Sequence, residues 1–410
     1  MVIACLCPWL QAGAQEYYVG GDISLLQRYD DHNVAYYDQS GTRIDDVLKY
    51  MKSDDVGWNA QRVRLFVNPT PSLDGNDPAI CQDLDYVVGL GRRIKQEGFA
   101  FMLDFHYSDT WADPSKQWTP VEWQSLGDEA LAAQVYEYTK TCLETLVEAG
   151  AAPDFIQTGN EVSYGMLWGP KGSAANRCYT SSDANWSRFV ALLQAAGRAC
   201  REVCPDAQIV IHTERAGKPQ ATVDIYRRLS AVDYDVIGLS YYPFWHNGLS
   251  TLATTLNQLE ANFADKKVQI VETAYYYQWQ PGVDYDFSKT WPVSPAGQAA
   301  FAKALITELK KHANVNGLYW WFPEENGNGP GNAVINAWVN RGLWDNNTHR
   351  ALPALYELKA FADRPGTGVW MTTAANRDNR YWYDLQGRRT DVRPQRHGLY
   401  INGGRKVYVK

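Results

Sequence analysis

Short runs of apolar, β-branched and aromatic residues alternate with longer amphipathic stretches through most of this chain. The strand-like runs are Tyr18–Ser24, Gln61–Val67, Phe99–His106, Phe155–Glu161, Gln208–Thr213, Val236–Tyr242, Val268–Thr273 and Gly317–Phe322. Several are almost continuously apolar, as expected of strands buried on both faces of a parallel sheet. Between them, apolar residues at helical spacing predict helices over Asp83–Glu97, Leu131–Ala149, Trp186–Val203 and Ala296–Lys311. Strand–helix units repeated in this way predict an α/β fold, the (β/α)8 TIM barrel, whose core is shared among the repeats. An open doubly wound sheet is the competing arrangement, but its glycine-rich phosphate turn is absent.

The rhythm stops after about residue 362. Asp363-Arg-Pro-Gly-Thr-Gly368 reads as a linker, and Tyr381–Thr390 and Gly398–Lys410 read as hairpins with glycine-containing turns. At the other end, Met1–Leu10 is an apolar run followed by Ala12-Gly-Ala14, the pattern of a signal peptide before its cleavage site, although a basic n-region is missing. Val2-Ile-Ala-Cys5 offers a lipoprotein box as the alternative. The expected organisation is a signal-peptide remnant at 1–14, a catalytic barrel at 15–362, and a linker with a small β-hairpin tail at 363–410. The tail resembles C-terminal sorting or anchoring tails of some secreted Gram-negative proteins, with a small β-appendage on the barrel as the other reading. No later run reaches the roughly 18 apolar residues of a membrane-spanning helix. Secretion to the cell surface or the medium is expected, with the periplasm as an alternative.

Composition narrows the partners. A net charge of −7 argues against nucleic acid, which calls for excess Lys and Arg. The 16 Trp and 26 Tyr supply rings for a large core and, where exposed, flat faces that stack on sugars. Cys5 and Cys7 would leave with the signal. Cys81, Cys142, Cys178, Cys200 and Cys204 form neither a zinc site nor an even disulfide set.

The polar residues Arg64, His106, Glu161, His212, Tyr242, Glu272 and Trp321 all fall at or near the C-terminal ends of the strand-like runs, which in a barrel converge on the face where active sites form. Two are glutamates. Glycoside hydrolysis needs one group to protonate the leaving oxygen and another to meet the charge developing at the anomeric carbon, and a carboxyl pair does both. Gly159-Asn160-Glu161 ends the fourth run and Val271-Glu272-Thr273 the seventh. Asn160 is placed to bind a sugar 2-hydroxyl.

This pairing resembles the large clan of retaining (β/α)8 glycosidases. The resemblance implies that Glu161 is the acid/base and Glu272 the nucleophile. Arg64 is expected to hold Glu272 ionised, Tyr242 to donate to the same carboxylate, and Trp321 to floor the cleaved sugar. His106 and His212 are expected to bind sugar hydroxyls or orient the carboxyl groups.

Longer motifs narrow the substrate. Val19-Gly-Gly-Asp-Ile-Ser24, Arg62-Val-Arg-Leu-Phe-Val-Asn-Pro69, Leu103-Asp-Phe-His-Tyr-Ser-Asp-Thr-Trp-Ala-Asp-Pro114, Ile156–Glu161, Gly238–Trp245 and Val271–Tyr275 resemble the signatures of arabinogalactan endo-β-1,4-galactanases, glycoside hydrolase family 53. The likeness runs from about residue 17 to 360. It implies internal, retaining cleavage of β-1,4-galactan, with Asp109, Trp111 and Trp245 lining sugar subsites. Phe66, Tyr275-Tyr276 and the Thr180–Trp186 stretch depart from the family pattern. No cofactor is required on this reading, and the chain is expected to act as a monomer. Some bacterial members carry a structural calcium, for which Asp284, Asp286 and Ser288, or Asn326–Gly331, offer oxygen ligands.

Other β-glycanases of the same clan would keep the carboxyl roles and change the substrate. A non-catalytic sugar-binding barrel would have lost a carboxylate or its support, and none is missing. A metal-dependent hydrolase would need a His/Asp cluster, and no HxH motif follows the first run.

Overall fold

The computed structural model describes residues 16–178, 183–327 and 338–363, and, towards the C-terminus, 382–383, 389–390, 393–395, 398–402 and 405–409. The N-terminal segment 1–14 and the stretch 364–381 lie outside the described residues. Contacts divide the chain into a unit spanning Glu16–Asp363 and a second containing Arg364–Lys410.

In the larger unit eight parallel strands close into a barrel in chain order: β1 (Tyr18–Asp22), β2 (Ala60–Leu65), β3 (Ala100–Phe105), β4 (Phe155–Thr158), β5 (Gln208–Thr213), β6 (Val236–Tyr241), β7 (Lys267–Thr273) and β8 (Val315–Trp321). All eight coincide with the strand-like runs. The predicted helices form at Leu84–Gln96, Asp128–Glu148, Asp183–Val203 and Pro295–Leu309, joined by Pro219–Arg228 and Leu249–Asn262. Local chemistry fixes two of the starts. Asp83 accepts the backbone N–H of Tyr86, and Ser294 accepts that of Gly297 with Pro295 at the first helical position. A two-stranded hairpin, Tyr36–Tyr37 with Arg43–Ile44, decorates the loop after β1.

The barrel interior is built in layers. At the bottom, Ala60, Met102, Phe155, Val210, Val236 and Tyr319 form an apolar plug with Tyr18 packed on it. Strand alternation repeats every second residue, so the next inward positions above the plug are Gly20, Arg62, Asp104, Gln157, His212 and Gly238. Gly20 is required there, because a Cβ would lie 1.7 Å from the carbonyl oxygen of Ala60. Higher still come Asp22, Arg64, His106 and Ser240. The interior thus changes from apolar to ionic along the barrel axis, and the ionic end is the C-terminal one.

The second unit contains a four-stranded antiparallel sheet, with Trp382–Tyr383 between Arg389–Thr390 and Gly398–Asn402, which in turn pairs with Arg405–Val409.

Candidate active site

Two departures from regular backbone aim the carboxyl groups. In β7, Leu239 of β6 faces Ile270 but Ser240 faces Glu272, so Val271 is an extra residue. This bulge breaks the alternation and turns Glu272 inward, while Val271 itself packs with the apolar residues of the barrel interior. At the end of β4 the chain turns through Gly159 (φ +92°) and leaves Glu161 itself left-handed, at φ 48°, ψ 50°. A non-glycine residue held in that region stores strain, and such residues concentrate at functional sites. Tyr107 and Phe322, which follow His106 and Trp321, are left-handed too.

Glu161 and Glu272 line one cleft of about 450 Å³ at the C-terminal mouth of the barrel. The centre of the floor is Arg62, 1% exposed. Its Nη1 lies 2.6 Å from Oδ2 of Asp22 and 3.0 Å from Oε1 of Glu272. Its Nη2 lies 2.8 Å from Oδ2 of Asp104 and donates to Oδ1 of Asn160 at 2.9 Å. Tyr242 donates its hydroxyl to Oε2 of Glu272 at 3.0 Å. Both oxygens of Glu272 therefore face donors. Burial raises its pKa, Arg62 opposes that rise most strongly, and Tyr242 also pulls it down.

Glu161 sits differently. Ser240 Oγ lies 2.6 Å from its Oε1, and among the described residues no cation pairs with it. Burial raises its pKa well above the ordinary carboxylate range, and the negative charges of Glu272 and Glu214 raise it further. When the two glutamates share one proton, Glu161 keeps it and Glu272 is the carboxylate. Glu214, also at the cleft wall, accepts from Ser163 Oγ at 2.5 Å.

Aromatic rings flank the carboxyl groups. Trp111, Trp245, Trp321 and Trp338 line the cleft, with Trp321 and Trp338 centroids 4.3 Å apart. Trp111 is fixed by donation from Nε1 to Asp77 at 2.9 Å. Trp338 lies over the guanidinium of Arg341 at 3.8 Å. Flat rings beside two carboxyl groups suit a carbohydrate, whose C–H faces stack on π surfaces.

The sequence profile of glycosyl hydrolase family 53 matches residues 18–358. The chain belongs to glycosyl hydrolase family 53. It is 29% identical over 342 residues to an endo-beta-1,4-galactanase of Bacillus subtilis, covering 81% of this chain and 75% of that protein. It is 31% identical over 321 residues to arabinogalactan endo-beta-1,4-galactanase A of Aspergillus niger, covering 75% and 85%. The GH53 catalytic domain of Ignisphaera aggregans superimposes with a TM-score of 0.74 at 31% identity, over 88% of this chain and 100% of that one.

Within this family 53 site, most of the expected residues converge. Arg64, His106, Trp111, Asn160, Tyr242, Trp245 and Trp321 all line the cleft with the two glutamates. His106 accepts the backbone N–H of Ala112 at Nδ1, so its Nε2–H faces Asp104 at 3.1 Å. Three expectations need correction. The guanidinium that holds Glu272 belongs to Arg62; Arg64, one layer higher, pairs with Asp22 at 3.2 Å and lies over the rings of Trp111 and Phe322. His212 does not line the cleft: it is fully buried beneath Glu161, between Ser240 and Asn160, which leaves the orienting half of its expected role. Asp109 does not line the cleft. Its carboxylate accepts the backbone N–H groups of Asn68 and Val121, and it borders a separate small pocket with Trp118 and Lys171.

Asp284, Asp286 and Ser288, considered above as calcium ligands, lie in the described loop that follows β7. Asp286 accepts the backbone N–H of Ser288, and no group of three or more His, Cys, Asp or Glu among the described residues is placed to share an ion. Residues 328–331 lie outside the described residues.

Sequence reasoning overlooked Asp22, Arg62, Asp104, Glu214, Ser240, His246 and Trp338. Strand alternation could have found several. Arg62, Asp104 and Ser240 each stand two residues before a residue already singled out and so share its inward face. His246 accepts the backbone N–H of Tyr242 at Nδ1, which leaves Nε2–H for the cleft, and burial lowers its pKa to about 4.

Proposed function

We propose that this chain is a retaining endo-β-1,4-galactanase in which Glu272 is the nucleophile and Glu161 the acid/base. The observation that carries the assignment is the unequal setting of two carboxyl groups in one cleft. Glu272 is held by Arg62 and Tyr242, while the Glu161 carboxyl has, among the described residues, a hydroxyl partner and carboxylate neighbours. Glu272 attacks the anomeric carbon as Glu161 gives its proton to the leaving glycosidic oxygen, which keeps the bonding electron pair. A galactosyl ester of Glu272 results. Glu161, now a carboxylate, takes a proton from water as that water's oxygen displaces Glu272, and the configuration is retained. Asn160, Trp321 and His106 support binding of the sugar at the cleavage point, with Trp111, Trp245 and Arg64 beside it.

Family membership and the named galactanases among its relatives support β-1,4-galactan as the polymer cut. Two carboxyl groups and their donors supply every step, so we assign no cofactor; turnover should survive dialysis against EDTA. We further assign the chain to the outside of the cell as a monomer. The apolar start Met1–Leu10 with Ala12-Gly-Ala14 supports export, as does a polymeric substrate. Among the described residues no helix is long and apolar enough to cross a membrane.

Incubation with linear galactan, mannan, xylan and cellulose tests the substrate, and absence of products from galactan would overturn it. Glu272→Ala should abolish turnover and regain part of it with azide, giving a galactosyl azide of inverted configuration. Full activity in that variant would remove Glu272 from the mechanism.

A further inference from the structure

A group that acts first as acid and then as base must be supported both with and without its proton. Around Glu161 the fixed donors and acceptors show how this is done. Arg62 can only donate, so the Asn160 atom 2.9 Å from its Nη2 is the acceptor Oδ1, and Nδ2 of Asn160 points to the carbonyl of Ala112 at 2.8 Å. His212 Nδ1 also lies 2.9 Å from that Oδ1. Two acceptors would repel at this distance, so Nδ1 carries the hydrogen and donates it to Asn160; the Gln157 amide at 3.2 Å and the Glu161 backbone N–H at 3.4 Å lie farther from the same nitrogen and are the weaker contacts. The ring is neutral, because burial and then the charge of Arg62 lower its pKa well below the ordinary histidine value. Its Nε2 is therefore a bare acceptor, 2.8 Å from Ser240 Oγ. Ser240 in turn lies 2.6 Å from Glu161 Oε1. One hydroxyl hydrogen has two acceptors.

We propose that Ser240 is a positioning residue whose hydroxyl hydrogen switches between His212 Nε2 and Glu161 Oε1 as Glu161 loses and regains its proton. While Glu161 is an acid, Ser240 has His212 as its acceptor and is not obliged to stabilise a carboxylate. As negative charge develops on Glu161, the O–H turns to Oε1 and stabilises it. When Glu161 takes a proton from water in the second half-reaction, the hydroxyl turns back. No bond in the relay breaks; only the Cβ–Oγ torsion changes. Asn160 and Arg62 keep the device neutral by fixing the histidine tautomer. The proposal rests on Glu161 being the acid/base.

The charged and titratable groups facing these residues are Glu272, Glu214 and Asp113 around Glu161, and Arg62, Asp104, His106 and His246 around His212. None of them donates to Glu161 Oε1 among the described hydrogen bonds, so Ser240 alone supplies that hydrogen bond.

The test combines nitrogen-15 NMR of histidine-labelled protein with pH–rate profiles of Ser240→Ala. His212, assigned with His212→Asn, should appear as the Nδ1–H tautomer. Its Nε2 resonance should shift as Glu161 ionises, and Ser240→Ala should abolish that shift. In the same variant the basic limb of kcat/KM should move up by about one pH unit, because a donor to the carboxylate is lost. Its kcat should fall about tenfold. A His212 protonated at Nε2, or a basic limb that does not move in Ser240→Ala, overturns the relay. Full activity of Glu161→Gln would instead overturn the acid/base reading, leaving the tautomer result to stand separately.

Discussion

Nη1 of Arg62 lies 3.0 Å from Oε1 of Glu272, at the base of the cleft. The same guanidinium pairs with Asp22 and Asp104, so one buried cation contacts carboxyl groups from β1, β3 and β7. Arg62→Lys keeps the charge but not the planar fork that serves all three at once. The variant should lose about 3 kcal/mol of stability in denaturant unfolding, as expected for a disrupted buried ion network. Arg62 lowers the pKa of Glu272, and the nucleophile works only above that pKa. Weakening the contact therefore moves the acid limb of kcat/KM to higher pH. An unchanged acid limb would show that Arg62 does not tune Glu272.

Glu161 should cost the folded protein stability at neutral pH. Its folded pKa is raised from the ordinary 4.5, so its favourable contribution is complete below that value and is lost as pH rises towards the folded pKa. Glu161→Gln cannot lose it. The inactive variant should melt about 2–4 °C above the parent at pH 8 and at the same temperature at pH 4. Melting curves across this range decide the matter.

Asp109 lies within the most family-like motif, yet its carboxylate serves the backbone of Asn68 and Val121. Asp109→Asn should keep kcat/KM on galactan within about threefold while lowering the melting temperature by a few degrees. Trp111→Ala, two residues away but in the cleft wall, should lower kcat/KM at least tenfold. Steady-state kinetics on both variants separate the roles.

Trp338 forms cleft wall on one side and covers Arg341 on the other. Trp338→Ala should raise KM for galactan about tenfold, the scale of one lost stacking platform. It should also uncover Arg341, whose pKa burial lowers to about 10. A KM equal to that of the parent would exclude Trp338 from substrate binding.

Much of the fold was legible because strands buried on both faces leave near-continuous apolar runs, as in Val268–Val271 and Val236–Leu239. The hairpin Tyr36–Tyr37 with Arg43–Ile44 was not, since two residues per strand carry no period. Glu161 and Glu272 could be found because each closes such a run. Choosing between Arg62 and Arg64 could not be done from spacing. Both face inward, and only the reach of each side chain across the barrel decides which meets Glu272. Ser240 carries no signature of its own; its part depends on His212 and Glu161, which come from other strands. Asp109 shows the reverse failure, because a motif records which residue is present and not where its side chain points.

The extra residue in β7 has a consequence for anyone who would transplant this chemistry. An idealised barrel strand with unbroken alternation would aim position 272 at the helical shell and bury valine at the catalytic rim. The chemistry therefore depends on one residue out of register, and a strand straightened with that residue still in place should give a barrel that folds and cannot react.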